Sequence, residues 1–182
     1  MKLVCGIDEA GRGPIAGPVT AGAVILPSDF PYEILNDSKL LSEKKRKYAT
    51  EIILENAIAY GIGWVWPSEI DDINIHNASL LAMKRAYTQF HIKADFALID
   101  GKFIPDIDVK SEAIVKGDLK IREIQAASIL AKTARDRWMI RYSWIDNRYG
   151  FEKHKGYPTK YHRQQCREYG ISYIHRKSFK IL

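Results

Sequence analysis

Leu3-Val4-Cys5-Gly6-Ile7-Asp8-Glu9-Ala10-Gly11-Arg12-Gly13-Pro14-Ile15-Ala16-Gly17-Pro18-Val19-Thr20-Ala21-Gly22-Ala23-Val24-Ile25-Leu26 opens the chain with two apolar runs, Leu3 to Ile7 and Pro18 to Leu26, around a loop with glycines at 11, 13 and 17. Both runs read as strands, and the glycine-rich link makes them a hairpin or a wide β-turn-β. Gly11-Arg12-Gly13-Pro14-Ile15-Ala16 matches the dinucleotide pattern GxGxxA in form. That fingerprint must open a helix, whereas here a second strand follows, and the Gly-Lys-Ser/Thr of a phosphate-binding P-loop is missing. What survives is a tight loop, readable as a plain structural turn, with one arginine beside Asp8 and Glu9.

Working outward, helical and strand patterns alternate. Ser42 is a predicted N-cap with Glu43 behind it, and Tyr48, Ala49, Ile52 and Ile53 recur at helical spacing while Lys44, Lys45, Arg46 and Lys47 stay on the wet side. A strand-like run, Ala57 to Trp66, precedes the capping signal Pro67-Ser68-Glu69-Ile70-Asp71 and a helical face of Ala78, Leu81, Ala82, Arg85, Ala86 and Phe90. Asp95 to Ile99 is a short buried strand ending in Asp100-Gly101, and Ser111 to Val115 another ending near Lys116-Gly117-Asp118. Ile124, Ala127, Ala131, Ala134, Trp138, Tyr142 and Ile145 step by threes and fours through the longest helix, and a shorter helix spans Thr159 to Tyr169 and stops at Gly170. The pattern predicts an α/β fold with a mixed sheet covered by helices. With 182 residues, no repeat and no Ser/Gly linker, the expectation is one domain over 1–182, a core at 1–150 with a basic C-terminal part at 151–182.

The composition, 46% hydrophobic and 27% charged, excludes disordered, collagen-like and disulfide-scaffold chains. No apolar stretch is long enough for a membrane span, and Asp8 interrupts any signal-peptide core, so a cytosolic protein without a membrane partner is expected. Cys5 and Cys166 stand far apart and read as buried free thiols, and the histidines at 76, 91, 154, 162 and 175 show no ligand spacing. The net charge of +6 is unevenly spread: over residues 153–182, Lys153, Lys155, Lys160, Arg163, Arg167, Arg176, Lys177 and Lys180 face a single acid, Glu168. Such a tail predicts a polyanion partner, nucleic acid first. Within it His154-Lys155-Gly156-Tyr157-Pro158-Thr159 interleaves cations with a ring and a hydroxyl, suited to phosphate and sugar contacts, while Tyr161, Tyr169, Tyr173 and Phe179 read as core.

Three acidic clusters each follow an apolar strand and sit beside a glycine: Asp8-Glu9 with Gly11, Asp100 with Gly101, and Asp118 with Gly117. Taken singly such acids are solvated strand ends or turn residues. Brought together they would repel, a cost best relieved by a divalent cation, and hard oxygen donors without a Cys/His set point to Mg²⁺ or Mn²⁺. Metals so held would activate a water and stabilise the leaving oxygen in phosphodiester hydrolysis. In an ideal strand Asp8 and Glu9 point to opposite faces, so one shared site requires the backbone to leave strand geometry there.

Gly6-Ile7-Asp8-Glu9-Ala10-Gly11-Arg12-Gly13-Pro14 through Gly17-Pro18-Val19, Asp37-Ser38-Lys39, Leu98-Ile99-Asp100-Gly101, Lys116-Gly117-Asp118, Ala126-Ala127-Ser128-Ile129-Leu130-Ala131-Lys132, Arg135-Asp136, His154 to Thr159 and His175-Arg176-Lys177-Ser178-Phe179 together resemble, in order, the motifs of the ribonuclease HII family. The resemblance runs from residue 6 to about 179, with Ile15 where leucine is usual and Thr133 where valine is usual. It implies a ribonuclease H-like mixed five-stranded sheet flanked by helices, with a small C-terminal helical part that grips substrate. It further implies hydrolysis of RNA in RNA–DNA hybrids and nicking 5′ of ribonucleotides embedded in duplex DNA, leaving 3′-hydroxyl and 5′-phosphate ends by two-metal catalysis. Carried over by position, Asp8, Glu9, Asp100 and Asp118 are the catalytic, metal-binding acids, Gly11, Arg12 and Gly13 the loop that senses the ribose 2′-hydroxyl, and Tyr157 the ring on the neighbouring sugar. Lys39, Lys155 and Thr159 match positions suited to phosphate or substrate contacts, and a monomer is the default. The competing readings are a carboxylate nuclease of the same superfold that cuts all-DNA substrates, and a non-enzymatic RNA-binding module.

Overall fold

The opening runs form β1 (Val4–Ala10) and β2 (Val19–Ile25), paired antiparallel from Cys5↔Ile25 to Ala10↔Thr20. The computed structural model describes residues 2–35 and 41–181. α1 (Glu43–Asn56) starts at Ser42, whose hydroxyl accepts the Lys45 amide at 3.3 Å and so satisfies one of the helix's orphan donors. There follow β3 (Ala59–Val65), α2 (Pro67–Tyr87), β4 (Phe96–Asp100), β5 (Ser111–Ile114), α3 (Arg122–Ser143), α4 (Phe151–His154) and α5 (Lys160–Tyr169). The sheet order is β3-β2-β1-β4-β5, with β2 antiparallel to both neighbours and the β1/β4 and β4/β5 pairs parallel. This is the mixed five-stranded sheet the sequence predicts.

Helices cover both faces. On one, Ile7, Ala21, Ala23, Ala97 and Ile99 share a core with Ala78, Ala82, Met83 and Ala86 of α2. On the other, Val24 and Leu26 meet Ala49 and Ile53 of α1 and Ala126, Ala127 and Leu130 of α3. Alanines and glycines let helix and sheet backbones approach closely: a Cβ on Gly6 would lie 2.1 Å from the carbonyl carbon of Glu123. Gly6→Ala is therefore expected to cost about 3 kcal/mol, because rigid backbone has to move to admit the methyl group. The midpoint of urea denaturation checks this, and an unchanged midpoint would refute it. A third cluster joins Ile15 and Ala16 of the glycine loop to Met139 and Tyr142 of α3 and to Tyr149, Phe151, Cys166 and Ile174 of the C-terminal segment.

The structure corrects several expectations. Tyr48 is exposed, and Thr50 turns inward instead, its hydroxyl 2.9 Å from that of Thr133. α3 ends at Ser143, so Trp144 and Ile145 lie past the last helical turn, where the threes-and-fours stepping no longer maps onto a face; they are 77% and 79% exposed. Tyr161 and Tyr169 are exposed because α5 buries His162, Gln165 and Cys166, and Tyr173, in the segment after that helix, is exposed as well. α2 is two helical pieces joined at Asn74 (φ 65°, ψ 164°), whose side-chain oxygen accepts the amides of His76 at 3.0 Å and Asn77 at 3.1 Å and caps the second piece. No described helix is long and apolar enough to cross a membrane.

Candidate active site

β1 and β4 run parallel and their pairing ends at Ile7↔Ile99, which sets Asp8 and Asp100 side by side as the next residues on the two strands. Both lie on the α3 face, where Ser128 donates a hydrogen bond to Asp8. Asp118, in the helical turn Gly117–Leu119 just before α3, sends its backbone N–H to Asp100 Oδ1 at 3.3 Å, and its own side chain is buried. Asp8 is buried, and its pKa is raised well above the ordinary carboxylate value, first by loss of water and then by the charges of Glu9 and Asp100. β1 keeps its ladder with β2 through Ala10, so the backbone does not leave strand geometry at Asp8-Glu9. Glu9 accordingly turns to the α2 face, where it lines a cavity of about 110 Å³ with His76, Ser79, Asp100 and Phe103. Asp100 links the two sides: it raises the pKa of Asp8 and shares the cavity with Glu9.

The donor set fits a hard divalent cation. Glu9 Oε1 takes Nη1 of Arg12 at 3.2 Å, whereas its Oε2 is buried with no hydrogen-bond partner, an acceptor left for a cation to satisfy. All four acids offer oxygen only, and their mutual repulsion is what such an ion removes.

Beside the acids lies a cleft of about 370 Å³ lined by Glu9, Gly11, Arg12, Gly13, Arg46, Ser128, Lys132 and Tyr157. The predicted loop and ring thus meet in one place, together with Arg46 and Lys132, both of which pair with Asp136. Two buried arginines shape the loop. Arg135 donates from Nε to Pro18 O at 2.9 Å, from Nη1 to Lys155 O at 2.9 Å and from Nη2 to Ala16 O at 3.1 Å. Arg176 donates to the carbonyls of Gly17 at 2.9 Å, Arg12 at 3.0 Å and Gly11 at 2.6 Å. Burial lowers the two guanidiniums to about 10 and about 9, so both remain charged at neutral pH. Gly11 sits at φ +93°, and a Cβ there would fall 2.1 Å from Arg135 Nε, so neither this backbone nor this contact admits another residue.

Other expectations fare differently. Arg176 is not part of a basic surface, because its charge is spent inward on three carbonyls. Lys155 hydrogen-bonds its ammonium to the carbonyl of Glu152 and gives its own carbonyl to Arg135, so it is a loop-shaping residue in this structure. The Thr159 hydroxyl accepts the His162 amide at 3.1 Å and serves as the N-cap of α5. Lys39 lies outside the described residues. Arg135 had a visible signal, since it falls four residues after Ala131 and four before Met139 on the buried stripe of α3. Arg176 had none.

Spacing also fails to reveal that His162, Cys166 and His175 gather with their ligating atoms within 4.8 Å of one another. Burial pulls both histidines down to about 4. Between that value and the ordinary 6.5 the unfolded chain binds protons that the folded chain refuses, so stability is expected to fall as pH drops from about 6.5 to about 4 and to level off below. Urea titrations across that range test the sign; greater stability at pH 5 than at pH 7 would contradict it.

An α/β protein whose mixed sheet brings acids from adjacent strand ends to one opening, beside a cationic cleft, has the architecture of the ribonuclease H-like nucleases. The profile of the ribonuclease HII family matches residues 5–182. A ribonuclease HII of Treponema denticola is 52% identical over 195 residues, covering 98% of each chain, and one of Dechloromonas aromatica is 52% identical over 177 residues, covering 97% of this chain and 90% of that protein. The crystal structure of ribonuclease H2 from Pyrococcus horikoshii superposes with a TM-score of 0.79 at 25% identity, over 98% of this chain and 94% of that one. The chain belongs to the ribonuclease HII family. It is an endoribonuclease of the ribonuclease H type, acts on RNA–DNA hybrids and depends on a divalent metal.

Proposed function

We propose that the enzyme also nicks duplex DNA on the 5′ side of a single embedded ribonucleotide, leaving 3′-hydroxyl and 5′-phosphate ends. The observation that carries this reading is the adjoining of two features: the carboxylates of Asp8, Glu9, Asp100 and Asp118, and a Gly11-Arg12-Gly13 loop whose Gly11 and Arg12 carbonyls are anchored by Arg176, with the flanking Ala16, Gly17, Pro18 and Lys155 carbonyls held by Arg135 and Arg176. Only the 2′-hydroxyl separates a ribonucleotide from its neighbours in such a substrate, and a fixed loop of exposed peptide groups is suited to hydrogen-bond it. Discrimination of that kind is strong when buried polar groups lose their partner in the wrong substrate.

Asp8, Glu9, Asp100 and Asp118 are the residues that would hold Mg²⁺ or Mn²⁺, and we favour two ions. Divalent metal held by these acids would supply a lowered pKa for an attacking water and charge to offset that on the departing 3′-oxygen. Arg12, Arg46 and Lys132 line the cleft as partners for substrate phosphates, and the exposed ring of Tyr157 is placed to pack on the sugar beyond the scissile bond. Residues 151–182 form the part that grips the substrate, and the enzyme works as a monomer. In a DNA duplex with one ribonucleotide, cleavage in Mg²⁺ or Mn²⁺ is expected as a single nick 5′ to that residue, lost on chelation and absent from an all-DNA duplex. Cutting of the all-DNA duplex would favour a general carboxylate nuclease, and activity confined to long hybrids would refute the single-ribonucleotide reading.

A further inference from the structure

Beneath the Tyr157 loop the buried histidines form a chain of hydrogen bonds whose direction can be assigned from its ends. The Ser172 amide donates to His175 Nδ1 at 3.0 Å, so that nitrogen carries no proton and His175 holds its proton on Nε2. His175 Nε2 faces His162 Nε2 at 3.1 Å and donates to it, which leaves the His162 proton on Nδ1. His162 Nδ1 then donates to the backbone carbonyl of Tyr157 at 2.9 Å. Every ring nitrogen of the pair is engaged, His175 Nδ1 also meeting the Ser172 hydroxyl at 2.9 Å and His175 Nε2 the Cys166 thiol at 3.2 Å, and both rings must be neutral for the chain to run. His154 stacks on His162 with ring centroids 4.3 Å apart, and its Nδ1 accepts the Gly156 amide at 3.2 Å.

Two histidines and a cysteine this close are also a set that zinc or copper would take. The direction of the hydrogen bonds argues against it: His175 Nδ1 already accepts an amide proton, so its Nε2 has no lone pair for a metal. The Cys166 thiol, 3.2 Å from His175 Nε2, packs against the chain without completing a metal site.

The end of this chain is a functional residue. The Tyr157 peptide is held on both sides, its N–H by the His154 carbonyl at 2.9 Å and its carbonyl by His162 and by the Thr159 amide at 2.8 Å. Its ring stands in the cleft next to Gly13, where a Cβ would come 3.4 Å from Tyr157 Cε1. We propose that His162 and His175 are positioning residues for substrate binding: their neutral relay sets the Tyr157 backbone, and with it the angle at which the ring meets the sugar. The inference rests on the role given to Tyr157 above, and it places the effect in substrate grip and not in the chemistry at the carboxylates.

The test is steady-state cleavage of a DNA duplex with one ribonucleotide, in Mg²⁺, by His162→Phe, His162→Asn, Tyr157→Ala and the double variant His162→Phe/Tyr157→Ala. Phenylalanine keeps the ring and its stacking but removes both hydrogen bonds, and is expected to raise KM about tenfold with kcat changed less than about twofold. Asparagine restores a donor near the Nδ1 position and should recover most of the loss. In the Tyr157→Ala background the phenylalanine substitution should add less than about twofold, since the residue it positions is gone. Equal effects with and without Tyr157, or a fall in kcat at unchanged KM, would overturn the proposal. A Tyr157→Ala enzyme with wild-type KM would instead defeat the sugar-contact reading, and the relay is then judged on the unmodified protein by nitrogen-15 NMR of the histidine rings. That spectrum should show His162 protonated on Nδ1 and His175 on Nε2 at pH 7. The opposite tautomers, or stoichiometric Zn²⁺ binding that shifts both Nε2 signals, would overturn the relay even if His162→Phe did not fold.

Discussion

Asp100→Asn should lower turnover on an RNA–DNA hybrid by at least about 1,000-fold, a loss of roughly 4 kcal/mol in transition-state stabilisation, while the protein stays folded. The fold is spared because asparagine keeps the side-chain oxygen that accepts the Asp118 amide. Activity is lost because Asp100 touches both halves of the acidic group, raising the pKa of Asp8 on one face and sharing the cavity of Glu9 on the other. The same change removes a negative charge from a crowded buried cluster. In chelator the variant should therefore melt at or above the wild-type temperature. Added Mg²⁺ should raise the wild-type midpoint and leave that of the variant nearly still, because only a protein that binds the ion in its folded state is stabilised by it. Thermal melts with and without Mg²⁺, run beside single-turnover cleavage, give two independent readouts. Activity within tenfold of wild type, or equal stabilisation of both proteins by Mg²⁺, would remove Asp100 from the metal-binding set.

The acids were legible because each ends an apolar run beside a glycine, a local pattern that survives without knowledge of strand order. Their geometry was not legible. Asp8 and Asp100 are neighbours only because β4 pairs parallel with β1 across ninety-odd residues of chain, and no local pattern encodes that partner. The strand alternation that seemed to forbid a joint role for Asp8 and Glu9 is retained, and Asp100, set where the β1/β4 pairing runs out, faces both. Charge counting placed one cation of the C-terminal segment on the wrong side for a different reason. A formal charge says nothing about direction, and Arg176 points inward to carbonyls, as Arg135 does from the middle of a helix. Apolar stepping located α3 and α5, yet it overran the end of α3 by two residues and mistook tyrosines for core, because amphipathic side chains follow the helix period whether or not anything covers them.

Arg176→Met should destabilise the protein by about 3 kcal/mol or more, since three buried carbonyls lose their donors at once and methionine can satisfy none of them. For a chain of this length that corresponds to a fall of roughly 6–12 °C in Tm. Lysine should rescue little. Its single ammonium cannot reproduce a fork that reaches Gly17 from Nε, Arg12 from Nη1 and Gly11 from Nη2. Burying that guanidinium close to the charge of Arg135 is costly in itself, as its lowered pKa of about 9 shows, and the carbonyls offset the cost only as a set. Two of these carbonyls belong to Gly11 and Arg12, which line the cleft, so the loss should extend beyond stability. At a temperature where Arg176→Met is still folded, its preference for a ribonucleotide-containing duplex should shrink, because peptide groups free to move no longer oppose the pairing of a deoxyribose in the same place. Calorimetry and the ratio of kcat/KM on single-ribonucleotide and all-DNA duplexes measure the two effects separately. A variant that melts within 2 °C of wild type, or one that is unstable yet fully selective, would show that the loop keeps its shape without this arginine.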